Sequence, residues 1–144
     1  MSKKVIIIGG EGNGGVVASL IEDNRKRFKD DEYEVAGFLN DYEKEKNIND
    51  YPVIGGTNDI HKYLKEDYYF IYAIHMIGRN ILTEKVFNKM NIPQERFATI
   101  VHNSAFVANN AKLEPGVVVM SNTYIGPKAH IGACTLVLAN ALIG

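Results

Sequence analysis

Cysteine is almost absent from this chain: 144 residues contain one, Cys134. A lone thiol excludes an internal disulfide and fits a reducing compartment. Net charge is scarce as well, at −1, which argues against a general affinity for nucleic acid or for an acidic membrane surface. Long hydrophobic runs are missing. The apolar residues 5–8 are too few for a signal peptide, and nothing resembles a transmembrane span, so the expectation is a soluble, cytoplasmic protein. The most telling shortage is local. From residue 101 onward only Lys112, Glu114 and Lys128 carry formal charge, and the other 30 of the 33 Asp, Glu, Lys and Arg residues lie in the first hundred. A region so poor in charge has faces suited to stacking against copies of itself.

What fills that region is a period of six. Counting from Val101, the first position of each six is Val101, Val107, Leu113, Val119, Ile125, Ile131, Val137 and Ile143, every one a branched aliphatic. The fifth position is Ala105, Ala111, Val117, Thr123, Ala129, Thr135 and Ala141, every one small or β-branched. Six fits neither a helix nor a simple alternating strand. It fits a hexapeptide β-helix, in which each six forms one flat face of a triangular coil and the aliphatic fills the axis. Turn-type residues such as Asn110, Pro115, Gly116, Asn122, Gly126 and Asn140 recur between these anchors.

The first hundred residues alternate differently. Residues 5–8 form a β-branched run ended by glycines, which predicts a buried parallel strand. Val16, Val17, Leu20 and Ile21 follow at helical spacing, with residues 24–30 as a charged exit. Residues 33–39 and 68–74 predict further strands. Residues 42–50 are polar and predict a loop. Residues 51–56 predict an edge segment, because Pro52 cannot donate to a ladder. Thr57 is placed to cap a helix over 58–64. Ile77, Ile81, Leu82, Val86 and Met90 outline an amphipathic helix, Pro93 ends it, and 97–100 predicts a last strand. Such alternation implies βαβ units and a small parallel sheet. The expected fold is α/β: a small Rossmann-like domain over residues 1–100, then the first coils of a hexapeptide β-helix over 101–144.

Gly10, Gly12 and Gly15 satisfy G-x-G-x-x-G directly after a strand and at the opening of a helix. Glycines let backbone approach a pyrophosphate, and the helix N-terminus offers free N–H groups and a positive dipole end. The pattern also suits a tight turn without a ligand. It does not distinguish NAD from a nucleotide-sugar. A dinucleotide site calls for an acid at the end of the second strand, where this chain has Asn40-Asp41. Asn40 could read a base edge, or the pair could simply cap the strand. His75 follows the strand over 68–74 at its C-terminal end, where ligands sit in open parallel sheets; the alternative is a solvated loop histidine. Arg79 could meet a phosphate or be surface charge. His61 has no assigned role, the Tyr63, Tyr68, Tyr69 and Tyr72 cluster reads as packing, and His102, His130 and Cys134 read as structural.

Residues 5–17 with their glycine loop, the run Val35 to Asp41, the Tyr51-Pro52-Val53-Ile54-Gly55 segment, and residues 70–75 before a helix together resemble the N-terminal half of bacterial sugar acyltransferases, the sialic-acid O-acetyltransferase and UDP-4-amino-sugar N-acetyltransferase group. Residues 100–105 followed by sixes look like that family's junction into a left-handed β-helix. The resemblance implies a homotrimer, a nucleotide-sugar in the N-terminal domain, acetyl-CoA as co-substrate between neighbouring coils, and a histidine general base. It implies that Gly10, Glu11, Gly12, Asn13 and Gly14 approach the sugar-nucleotide, that Asn40 and Asp41 lie at its nucleotide end, and that His75 faces the ligand. Three positions depart from the family: Asn13 stands where a histidine is usual, Asn40 where an aspartate is, and His75 where a glycine is. The implied base would follow Gly144 immediately, and no histidine within the chain matches it, so these 144 residues are expected to bind without turnover. The alternatives are a nucleotide-binding module whose repeat only oligomerises, and an NAD(P)-binding protein. Residues 101–136 make two coils; 137–144 begin a third, expected to fray or to be covered by another copy.

Overall fold

The computed structural model describes residues 1–43 and 46–144. Lys44 and Glu45, inside the polar stretch expected as loop, lie outside the described residues. Strands β1 (Lys3–Ile8), β2 (Tyr33–Leu39), β3 (Asn47–Ile48), β4 (Tyr51–Gly55) and β5 (Tyr68–Tyr72) form one sheet in the order β3-β4-β2-β1-β5. β1 pairs in parallel with both β2 and β5, and β2 with β4; β3–β4 is antiparallel. Alternate side chains of β1 leave on opposite faces. Val5 and Ile7 pack under helix α1 (Asn13–Phe28) with Val17, Ala18 and Ile21. Ile6 and Ile8 pack on the other side with Ile60 of α2 (Ile60–Leu64) and with Phe87 and Met90 of α3 (Asn80–Met90).

From Ile100 the chain winds into a left-handed hexapeptide β-helix. Eight two-residue strands, β6 to β13, stack eighteen residues apart. Ile100–Val101 pairs with Val118–Val119 and that with Leu136–Val137; Phe106–Val107, Tyr124–Ile125 and Leu142–Ile143 form the second face; Lys112–Leu113 and His130–Ile131 form the third. Val119, Ile125, Ile131 and Val137 are buried along the axis, with Val101, Val107, Leu113 and Ile143 packed against them. The corners turn through left-handed backbone at every sixth residue from Gly116: Asn122, Lys128, Cys134 and Asn140 follow, with φ between 57° and 64°. The third coil is bonded to the second, where the Tyr124 and Gly126 amides donate to Ala141 and Ile143 at 2.9 and 2.8 Å.

Several local expectations give way. The stretch 42–50 contains β3, because Asn49 and Asp50 both adopt positive φ (49° and 65°). Paired left-handed residues make the two-residue turn that matches strand twist, so β4 gains an outer neighbour and is not the edge. α1 runs through the expected charged exit to Phe28, held by i,i+4 pairs Lys26–Glu22 and Arg27–Asp23, both 2.7 Å. α3 begins at Asn80 and not at Ile77, since Gly78 takes φ 78°. Thr57 caps nothing: the Gly56 amide is held by the Asp59 carboxylate, and the Thr57 hydroxyl turns to Asp41. The expected strand over 97–100 is one bridge, Phe97 to Phe70, before Ile100 joins the coil.

The sheet and the coil share their cores. Ile100, Val118 and Met120 belong to the same buried cluster as Val5, Ile7 and Val17, with Leu136 packed against it. Polar contacts reinforce the seam. Buried Asn24 donates to the Val101 carbonyl (3.0 Å) and accepts from the Asn103 amide (2.9 Å). The buried His102 ring accepts at Nδ1 from Ser104 and donates from Nε2 to Asp23 at 2.7 Å. Among the described residues no helix is long and apolar enough to cross a membrane.

Candidate functional site

Parallel strands β2, β1 and β5 end on one side of the sheet, and their following loops surround a cavity of about 340 Å³. Gly9, Gly10, Gly12 and Asn13 line it from the β1 loop; Leu39, Asn40, Asp41 and Tyr42 from β2; Ala73, Ile74, His75 and Met76 from β5; and Thr57 closes the β4 side. The glycine loop is tight because the Gly15 and Val16 amides bond back to Gly10 and Gly12 at 3.0 and 3.1 Å. No side chain caps α1, and no acid lies in its first turn. Its opening N–H groups and positive dipole end therefore face an anion-favouring position. Gly14 does something else. A Cβ there would meet Phe38 Cε1 at 3.1 Å, so its missing side chain lets the helix lie against the sheet. Glu11 is exposed and does not line the cavity.

The β2 end is built by its own side chains. Asn40 donates to the Gly9 carbonyl (3.1 Å) and accepts from the Tyr42 and Glu43 amides (2.8 and 3.0 Å). Its amide thus ties the glycine loop to the turn after β2, which engages the groups a base edge would use. Asp41 accepts from the Thr57 amide (2.8 Å) and hydroxyl (2.9 Å), linking that turn to the start of α2. Tyr42 extends beyond them and is 95% exposed. Arg79 does not reach this cavity; it lies with Ile81, Leu82 and Lys85 along the outside of α3.

His75 also lines a second cavity of about 370 Å³, with Tyr72, Met76, Ile77, Thr83, Phe87 and the coil-corner residues Ala133 and Cys134. Its ring meets Tyr72 edge-on at 5.5 Å. His75 is exposed as a whole residue, but partial desolvation against this cavity depresses the imidazole pKa below its ordinary value, outweighing the Tyr72 and Cys134 backbone contacts that favour the cation. Burial pushes the Cys134 thiol the other way, up to about 11. The Tyr72 hydroxyl donates to the Thr83 carbonyl and Tyr63 to the Ile54 carbonyl, both at 3.0 Å, so these tyrosines brace the fold. His61 is exposed on α2. His130 stands 3.5 Å from Glu114 on the outer face of the coil. Sequence reasoning missed Tyr42, Thr57 and the second cavity. Tyr42 was signalled by an aromatic in a polar stretch immediately after a strand end; Cys134 carried no such sign.

A Rossmann-like sheet that feeds a hexapeptide coil, with an open cavity over a glycine loop, is the architecture of the hexapeptide-repeat bacterial sugar acyltransferases. Residues 4–90, more than half the chain, match the family described as the PglD N-terminal domain, and the chain belongs to that family. No curated protein matches it. The acetyltransferase domain of PglB from Neisseria gonorrhoeae FA1090, solved in complex with acetyl coenzyme A, is similar in fold: TM-score 0.78 at 23% identity, covering 99% of this chain and 65% of that one. A mutant of perosamine N-acetyltransferase from Caulobacter crescentus, in complex with CoA and GDP-perosamine, gives a TM-score of 0.73 at 26% identity, over 97% of this chain and 62% of that one. PerB from Caulobacter crescentus, with the same two ligands, gives 0.71 at 26% identity over the same shares. The chain thus spans under two thirds of the length of these structures.

Proposed function

We propose that this chain binds a nucleotide-linked amino sugar for an acetyl-CoA-dependent acetyltransferase of surface-glycan synthesis. One observation carries the reading: the uncapped N-terminus of α1, Asn40–Tyr42 and His75 converge on a single cavity, and His75 also lines the neighbouring cavity that the coil corner Ala133-Cys134 borders. The helix N-terminus suits the diphosphate. Solved Caulobacter relatives that hold GDP-perosamine and CoA support the substrate class. A dinucleotide fits less well, because the carboxylate of Asp41 is engaged by Thr57 and Asn40 offers no acid to a ribose diol.

Acetyl transfer requires an amine or hydroxyl of the sugar to attack the thioester carbonyl, lose a proton to a base, and expel the CoA thiolate. In this reading residues 1–100 form the nucleotide-sugar domain and 101–144 lead into the coil that borders acetyl-CoA. The base is supplied from outside these residues. Of the residues expected to meet the substrate, Gly10, Gly12, Asn13, Asn40, Asp41 and His75 line the cavity and form the substrate-binding set, while Glu11 and Gly14 do not. The working form is a cytoplasmic homotrimer joined through the coil. Calorimetric titration with UDP- and GDP-linked 4-amino sugars and with NAD tests this. Saturable binding of a nucleotide-sugar, no binding of NAD, and no acetyl transfer by the 144 residues are expected. Binding of NAD alone, or acetyl transfer by this polypeptide, would sink the reading.

A further inference from the structure

The glycine-loop cavity has a direction. Its three walls follow β2, β1 and β5, which are neighbours in that order. Two interstrand spacings put the β2 and β5 ends about 10 Å apart. The helix N-terminus lies between them, and His75, at the β5 end, adjoins the coil. A diphosphate at α1 would therefore leave one arm of its ligand over the β2 turn. There stands Tyr42, 95% exposed although it is a large aromatic. It is not on a free loop. Its own amide is bonded to Asn40 at 2.8 Å, and the preceding Asp41 is bonded to Thr57. An exposed ring on a turn anchored from two sides, at the mouth of a cavity, is a stacking platform without its partner.

We infer that Tyr42 stacks on the nucleobase of the bound nucleotide, so that the base lies over the β2 turn and the sugar is directed to His75 and the coil. This rests on the cavity being a nucleotide-sugar site. Stacking is tolerant of base identity because every base has a π-face, so Tyr42 supplies affinity for uracil and guanine alike.

The test titrates the full 144-residue chain and its Tyr42→Phe, Tyr42→Leu and Tyr42→Ala variants with UDP and with GDP. Tyr42→Phe is expected to bind within about twofold of the parent, and Tyr42→Leu and Tyr42→Ala roughly 5- to 150-fold more weakly, the range of aromatic–base stacking. Thermal midpoints should be unchanged, as an exposed ring supports nothing. Undiminished binding by Tyr42→Ala overturns the inference, as does full binding by Tyr42→Leu, which would make the contact merely apolar. A parent chain that binds neither nucleotide overturns the nucleotide reading itself, and the stacking role with it.

Discussion

Gly116 and Cys134 occupy the same corner of successive coils, and each constrains the other. Gly116 has φ 86°, and a Cβ there would meet the Cys134 Sγ at 2.6 Å. Gly116→Ala should therefore cost about 2–4 kcal/mol, part from left-handed backbone and part from overpacking. A lowered urea midpoint would measure it, and the loss should shrink but not vanish in a Cys134→Ala background, where only the backbone part remains. His75 makes a different prediction. Its pKa is depressed in the fold, chiefly by desolvation, so the unfolded chain takes up the proton first. Stability is full above the unfolded value of about 6.5 and falls as pH drops from there toward the folded value. Urea midpoints between pH 7.5 and 5 should fall, and His75→Asn should flatten part of that slope. Glu22 and Asp23, whose pKa values are lowered by Lys26 and Arg27 respectively, lose their contribution only at lower pH, below about 4.5, so the two windows separate.

At the scale of elements, α1 connects the two parts of the molecule. Its N-terminus opens on the cavity, while Asp23 and Asn24, near its far end, hold the first turn of the coil. Asn24→Ala would remove the side-chain partner of the Val101 carbonyl and the Asn103 amide in a part-buried seam, at about 1–2 kcal/mol. Chemical denaturation checks the loss, and nucleotide affinity should be unchanged because the cavity lies at the other end of the helix. The strands of the coil and their register were legible because an aliphatic at every sixth position has one consistent use. The parallel sheet was legible from apolar runs separated by helical spacing. Boundaries were less so. The hairpin at Asn49-Asp50 was hidden by polar neighbours, although Ile48 and Tyr51 flank a turn pair. The charged residues 24–30 read as an exit because their i,i+4 pairing matters only once the helix exists. In the site, the glycine loop and the strand-end residues could be found from their place in the βαβ pattern. Thr57 was misassigned because its partner, Asp41, is sixteen residues away. The Cys134 corner could not be found at all, since no local pattern brings a coil turn to the end of β5.

For the whole molecule, the outer faces of the coil are unequal. One is buried against the sheet through Ile100 and Val118. Another presents Lys112 and His130. The third exposes Phe106, Tyr124 and Leu142 in one column, with the two aromatic rings stacked at 5.2 Å and 11°. The proposed homotrimer would use this column. Sedimentation of the Phe106→Glu, Tyr124→Glu double variant should show a lighter species than the parent at equal concentration, with an unchanged fold by circular dichroism. An unchanged sedimentation coefficient would remove this face from the assembly.

The shared core has a practical consequence for protein engineering. Val118, Met120 and Leu136 cover the same cluster as β1 and α1, while Cys134 packs with the opposite side of the sheet. A recombinant chimera cut at residue 100 would not exchange one self-contained cassette for another. Any transplant of the sheet domain onto a foreign coil must carry the Val118–Val119 and Leu136–Val137 rungs and the partners of Asn24 with it. The sheet and the first two coils are therefore exchanged as a unit.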